Sequence, residues 1–456
     1  MDGRVISGGP WRVVACVAAV LALGACATDG TGTRPAAQAT PGPATAAPAP
    51  LDRTPAVEAP RPVPPAVQRG SSRVALLVPL SGPQAQLGRD LLDAAQLAVF
   101  DLAGPDFTLL PRDTGSGAAA AEHAAREALD DRVGLVLGPF FSDAAQAAAP
   151  LLRGANVPAV AFTNDAGVSG NGIWVMGFRP SPQIERAVRF AAAQGARRFA
   201  SLVPDTAYGR LVAGATEQAV AAAGGQLVAA EVYIPGDQAG TDATVRRLAN
   251  YDARHRALLA QRAELAQRDD DIAREALRRL DKLDTLGEPG FDAIVLAAGG
   301  QEVLGLAPLL AFYDIDPGQV RLIGTWLWED RSLGTEPAMV GARFAAPSPE
   351  AREAFRTRFE QTYGRAPARL ATLAYDAVAL AAVLAAEAKD APAAGAAGGP
   401  YSLAALTAPN GFAGIDGIFR LLPDGRIERG LAILEVRRNG PVVVDPAPTT
   451  FQALSN

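Results

Sequence analysis

Short apolar runs alternate with segments of helical spacing from residue 72 onward. Arg73-Val74-Ala75-Leu76-Leu77-Val78-Pro79-Leu80 is nearly continuous in apolar residues, as a strand covered on both faces requires. Ser81-Gly82-Pro83 reads as a turn. Gln84 to Leu102 then places Leu87, Leu91, Leu92, Ala95, Leu97 and Ala98 on one helical stripe. Phe107–Leu110, Val133–Leu137 and Pro158–Phe162 predict further strands, and Ala118–Leu129 and Ser142–Leu152 predict helices. A second series repeats the scheme. Its helices are Ser181–Gln194, Tyr208–Ala223 and Gln301–Phe312; its strands are Arg198–Leu202, Leu227–Val232, Phe291–Ala297 and Arg321–Gly324. Each series predicts a doubly wound α/β lobe. A long helix over Arg369–Ala388 follows, then β-like pieces at Ile415–Leu421 and Leu431–Arg437 around an Asp424-Gly425 turn.

One stretch breaks the scheme. Between Thr244 and Asp284, Leu248, Tyr251, Leu258, Leu265, Ile272, Leu280 and Leu283 recur at 3–4 spacing among Arg, Asp and Glu. The pattern predicts one long amphipathic helix, or two with a break near Arg268–Asp271. It suits a solvated surface helix packing its stripe on the second lobe, or a partner-binding element over 245–284.

The first 71 residues read differently. Arg4 and Arg12 precede an apolar run, Val13 to Ala25, of about 13 residues, too short for a bilayer that needs roughly 20. Leu23-Gly24-Ala25-Cys26 ends it. Residues 1–25 therefore read as a signal peptide, and the cysteine makes the cut site resemble a bacterial lipobox, which implies a lipid on Cys26. Two or three acyl chains anchor firmly, at roughly 0.8 kcal/mol per buried CH₂. The segment after it, within 26–71, is Pro, Ala, Thr and Gly with few large apolar residues. It predicts a disordered tether of about 40 residues.

Composition narrows the chemistry. The net charge is -6, which excludes a nucleic-acid binder on overall electrostatics. The two cysteines are Cys16 and Cys26, so the body beyond them carries no thiol or disulfide. His123 and His255 are the only histidines, leaving no His-rich metal site. No P-loop, His-Glu-x-x-His or Gly-x-Ser-x-Gly is present, so the expectation is no enzyme, no cofactor and no metal.

Val78-Pro79-Leu80-Ser81-Gly82 with Leu87-Gly88 resembles the opening of type I periplasmic binding proteins. Val136-Leu137-Gly138-Pro139 with Ser142, Asn156-Val157-Pro158-Ala159-Val160, Asp205-Thr206-Ala207-Tyr208-Gly209 and Gly414-Ile415-Asp416-Gly417 continue the likeness in order. The resemblance implies a leucine-binding-protein-like fold of two α/β lobes joined by three hinge crossings. Lobe 1 would be 72–181 and 327–418, lobe 2 would be 182–326 and 419–446, and 447–456 would be a tail.

In an open α/β lobe, ligands sit beyond the carboxyl ends of strands, near helix N-termini. Ser81, Ser142, Thr163 and Tyr208 fall at such positions. Ser142 before Asp143 also reads as an N-cap. Amino-acid-binding relatives use similar positions for the ligand carboxylate, and a lobe 2 acid for its ammonium. Here Gly324-Thr325-Trp326-Leu327-Trp328-Glu329-Asp330 puts Trp326 and Leu327 near where that acid is wanted, with Glu329 available in a shifted register. Phe140, Phe141 and Phe162 add bulk.

Lipobox, binding-protein body and charged insertion together resemble the penicillin-binding protein activators of the LpoA/LppC/YraM type. That resemblance implies an outer-membrane lipoprotein facing the periplasm, whose partner is a class A penicillin-binding protein and whose role is to regulate peptidoglycan synthesis. The best-known members carry a helical-repeat domain where this chain has its tether. The alternative is the substrate-binding lipoprotein of an ABC importer for an amino-acid-like solute held between the lobes.

Overall fold

Apolar strands become parallel sheets wherever helices can cover both faces. The computed structural model describes residues 72–390 and 399–451. The expected signal peptide, Cys26, the tether and the end of the expected tail lie outside the described residues. The first lobe runs β1 (Ser72–Val78), α1 (Ala85–Leu102), β2 (Phe107–Asp113), α2 (Ala118–Asp130), β3 (Leu135–Leu137), α3 (Ser142–Gly154), β4 (Ala159–Ala161) and β5 (Ile173–Val175). The sheet is wholly parallel, in the order β2-β1-β3-β4-β5. Period-two alternation in β1 feeds two cores. Val74, Leu76 and Val78 pack with Leu91 and Ala95 on one face; Ala75 and Leu77 pack with Ala124 and Ala148 on the other.

The second lobe runs α4 (Pro180–Ala193), β6 (Arg198–Pro204), α5 (Ala207–Ala222), β7 (Gln226–Tyr233), α6 (Gln238–Leu248), α7 (Tyr251–Ala266), α8 (Asp271–Leu280), β8 (Ala293–Leu296), α9 (Gly300–Phe312), β9 (Arg321–Gly324) and β10 (Arg343–Ala346). Then α10 (Pro349–Tyr363), α11 (Ala371–Asp390), α12 (Leu403–Leu406), β11 (Phe412–Gly414), β12 (Gly417–Leu421) and β13 (Ile427–Arg429) return to the first lobe. Finally β14 (Ala432–Glu435) and β15 (Val442–Asp445) close the second sheet, ordered β15-β14-β10-β9-β8-β6-β7.

In each lobe a glycine holds the first helix after the first strand against that strand. A Cβ on Gly88 would lie 1.9 Å from the Pro79 carbonyl oxygen, and one on Gly209 1.9 Å from that of Pro204. Backbone lies too close there for any side chain. Helix α11 is apolar enough to cross a membrane by length and composition, yet 72% of its apolar window is buried. Leu373, Ala377, Leu380 and Leu384 share a core with Leu91 and Ala95 of α1.

The lobe boundaries differ from the expected ones. Strand β10 pairs in parallel with β9 through Arg343↔Ile323. The second crossing therefore follows Ala346 rather than Trp326, and residues 327–346 belong to the second lobe. Strands β11, β12 and β13 form a small antiparallel sheet. Its Phe419, Leu421 and Ile427 enter the first lobe's core, so the third crossing follows Arg429 rather than Ile418. The first crossing lies between Val175 and Pro180. Strands β5 and β10, of three and four residues, were not read from the apolar pattern.

The insertion holds two helices, α7 and α8, after the last turn of α6. The break between Ala266 and Asp271 falls where spacing placed it, and Asp270 caps α8 by accepting from the Ala273 amide at 2.8 Å. A second break comes at Asn250, whose φ is 48°. Arg254 of α7 anchors the segment. Its side chain is 8% exposed and pairs with Asp314 at 3.2 Å, and its Nη2 donates to the Gly287 carbonyl at 2.6 Å. Replacing Arg254 by Ala removes its bonds to the Gly287 carbonyl and the Asp314 carboxylate. The expected loss is about 1–3 kcal/mol in urea-unfolding free energy; wild-type stability would show that the anchor contributes nothing.

Candidate interlobe site

The first lobe presents its polar groups at the carboxyl ends of β1, β3 and β4. After β1, the Leu80 and Ser81 amides donate to Asp113 Oδ1 at 2.8 and 3.2 Å, and Gly115 N joins them at 2.7 Å. Burial opposes ionisation of Asp113, but these bonds and the Ser81 hydroxyl outweigh it and hold the carboxyl below its ordinary range. Ser81 itself is exposed. After β3, Phe141 and not Ser142 is the N-cap of α3. The Ser142 hydroxyl instead shares a 2.8 Å hydrogen bond with Thr163 Oγ1 at the end of β4. Thr163 is buried and also accepts from the Asp165 amide at 3.0 Å.

The second lobe does the same at β6 and β9. Thr206 caps α5 by accepting from Gly209 N at 3.0 Å, which sets Tyr208 in the helix's first turn. The Tyr208 hydroxyl shares a 2.9 Å bond with Thr325 Oγ1. Burial raises the Tyr208 phenol above its ordinary pKa, and the Thr325 bond offsets part of this. Next in sequence, the Trp326 amide donates to Gln183 Oε1 at 2.8 Å. A short 3₁₀ turn, Trp326–Trp328, sends the Trp328 indole back over Gly324, where a Cβ would lie 2.2 Å from the ring. Trp328 Nε1 donates to the Ala298 carbonyl at 2.7 Å. Trp328 is thus fixed in the second lobe's core, and Trp326 is left to pack on the cores of both lobes.

Sequence reasoning passed over the ionic part of the site. Trp326 lies 5.4 Å from Phe178. The Arg369 guanidinium lies 4.9 Å from the Trp326 ring centroid and 5.7 Å from that of Phe178. Glu329 accepts from Arg352 on one carboxylate oxygen and from Arg369 on the other. Arg352 Nε also donates to Asp416 at 3.2 Å, and Thr372 Oγ1 donates to the same carboxylate at 2.6 Å. Arg429 donates to the Met176 carbonyl at 2.9 Å and lies 5.0 Å from the Phe178 ring. Glu329 is therefore not free to meet a ligand ammonium, and the acid wanted in the second lobe is absent from Trp326 and Leu327 as well.

Thus Ser142 and Thr163 meet directly, Tyr208 meets the residue before Trp326, and Ser81 turns to Asp113. A cavity of about 20 Å³ at the hinge crossings, lined by Phe178, Arg179, Gln183 and Arg429, has room for roughly one water. Among the described residues no group of three or more His, Cys, Asp or Glu is placed to hold a metal.

The family model described as periplasmic binding protein matches residues 71–441. No curated protein sequence matches the chain. Solved structures that share the fold include a branched-chain amino acid ABC transporter periplasmic ligand-binding protein from Burkholderia xenovorans, at 20% identity and TM-score 0.58, over 84% of this chain and 98% of that one. Another is an ABC transporter substrate-binding protein from Sphaerobacter thermophilus, at 21% identity and TM-score 0.57, over 83% and 98%. A third is an ABC transporter solute-binding protein from Rhodopseudomonas palustris in complex with 3,4-dihydroxybenzoic acid, at 19% identity and TM-score 0.55, over 84% and 98%.

Beneath the ionic cluster, Asp376 accepts from the Ile415 amide at 2.7 Å and the Asp416 amide at 3.2 Å. Burial and the adjacent Asp416 push its carboxyl from 3.8 up to about 7. Between those values the folded state keeps a proton that the unfolded chain has released. This group's contribution to stability is therefore fullest at low pH and is lost as pH rises through about 7. Urea-unfolding free energy should fall over that window in the wild type and flatten in Asp376→Asn. An equal slope in both proteins would contradict the assignment.

Proposed function

The chain belongs to the periplasmic binding protein family, and we propose that this member uses its two-lobe body for protein contact rather than solute capture. In this reading it is a lipoprotein, anchored through Cys26 to the periplasmic face of the outer membrane. Its partner is a bifunctional class A penicillin-binding protein, whose peptidoglycan synthesis it stimulates without chemistry of its own.

The observation that carries the reading is that the groups between the lobes are partnered by the protein itself. Trp326 packs against both cores, and Glu329 is held by two arginines. The insertion supplies contact surface instead. Ile272 on α8 is 76% exposed, Leu259 on α7 49%, and Leu283 just past α8 44%, among charges laced into local ion pairs. Contact there acts by favouring an active state of the partner.

A second reading has its own support. The solved relatives above are named as ABC transporter components, and they favour an importer's solute-binding lipoprotein over the synthase activator. The Ser142–Thr163 and Tyr208–Thr325 hydroxyl pairs stand where such a solute would be held. An amino-acid-like solute would then have to draw Glu329 from its arginines or go without an acidic partner, which is costly for a buried ammonium.

One assay separates the two. The soluble body is added to a reconstituted class A synthase, and glycan polymerisation and crosslinking rates are followed. Stimulation that is saturable, and that falls when 251–284 is replaced by a short linker, is expected. No complex and no rate change would sink the activator reading. Saturable stabilisation against heat by an amino acid or a benzoate, lost in Ser142→Ala with Thr163→Val, would establish the importer reading.

A further inference from the structure

Glu329 and its two arginines sit on different lobes. Glu329 ends the 3₁₀ turn Trp326–Trp328, and Trp328 is fully buried in the second lobe's core beside Phe344. Arg352 is on α10, whose Phe355 and Phe359 pack with Ala94 and Leu97 of α1 in the first lobe. Arg369 lies just ahead of α11, also in the first lobe. The carboxylate is 11% exposed, Arg352 12% and Arg369 28%. Each carboxylate oxygen takes one guanidinium. Arg352 is braced from behind by Asp416, which is fully buried. Arg369 is braced by the faces of Trp326 and Phe178. A pair of braced arginines meeting a carboxylate, one to each oxygen, has the form of a carboxylate-recognition site.

We infer that Arg352 and Arg369 form a carboxylate-binding site on the first lobe, and that Glu329 is its built-in ligand, closing the second lobe onto the first without any solute. In a solute-binding protein the free energy of closure comes from the ligand that both lobes touch. Here the second lobe's own side chain makes that contact. The inference deepens the reading of a cleft withdrawn from solute capture and rests on it. Its test contains no synthase, so failure of the clamp and failure of the partner assignment are seen separately.

The test is to remove the built-in carboxylate and return it from solution. Glu329→Ala should melt several degrees below the wild type and show a larger radius of gyration by small-angle scattering. Sodium acetate should restore both, saturably, whereas acetamide, or sodium chloride at equal ionic strength, should not. The wild type should not respond to acetate. Glu329→Gln keeps the shape and loses the charge, so it should be expanded and less stable as well, and it decides the matter if the alanine variant does not fold. Wild-type melting and scattering in Glu329→Gln would overturn the inference, as would acetate acting no better than acetamide on Glu329→Ala.

Discussion

A carboxylate taken out of water is tolerated only when its oxygens are met by charge and hydrogen bonds. Glu329 meets that condition by reaching across the hinge, one oxygen to Arg352 and one to Arg369. Much else is arranged around this contact. The turn that carries Glu329 can form because Gly324 lets the Trp328 ring fold back over the end of β9. The same turn pushes Trp326 against Phe178 and under Arg369. Asp416, which braces Arg352, lies in the sharp link between β11 and β12, whose neighbouring Gly414 has no room for a Cβ beside Asp376. Removing one partner of such a buried pair typically costs about 3–5 kcal/mol, because the other is left charged and unpaired.

The fold supplies the frame and leaves the chemistry to the strand ends. The parallel strands of both sheets deliver their carboxyl ends to hydroxyl-bearing residues, as open α/β lobes do. What differs is how those ends are used. The hydroxyls of Ser142 and Thr163, and of Tyr208 and Thr325, satisfy one another. The aromatic and ionic groups between the lobes pack or pair with the protein itself. A body built this way keeps the family's shape, and Arg254 pins the insertion against Gly287 and Asp314.

Apolar pattern carried most of the architecture. The runs at β1, β6 and β8 and the stripes of α1 and α5 are buried on the faces their periodicity indicates, because burial of apolar area dominates their placement. Gly88 and Gly209 stood in readable positions for close backbone approach. Strands β5 and β10 were missed, and with β10 went the second lobe boundary. Of the site, the residues at strand ends were legible but their partners were not. Ser142 follows the local rule for a cap, yet a tertiary bond to Thr163, 21 residues on, prevails. Arg352 and Arg369 lie 23 and 40 residues from Glu329; no local spacing connects them.

With Glu329 as the built-in ligand, the lobes rest closed without a solute. The described residues contain no cysteine, so spin labels can be placed through His123→Cys on α2 and Gln218→Cys on α5, both exposed. Double electron–electron resonance on the wild-type background should give one narrow interlobe distance with no ligand added, unchanged by amino acids or benzoates. A broad or two-peaked distribution that narrows only when a solute is supplied would contradict the account.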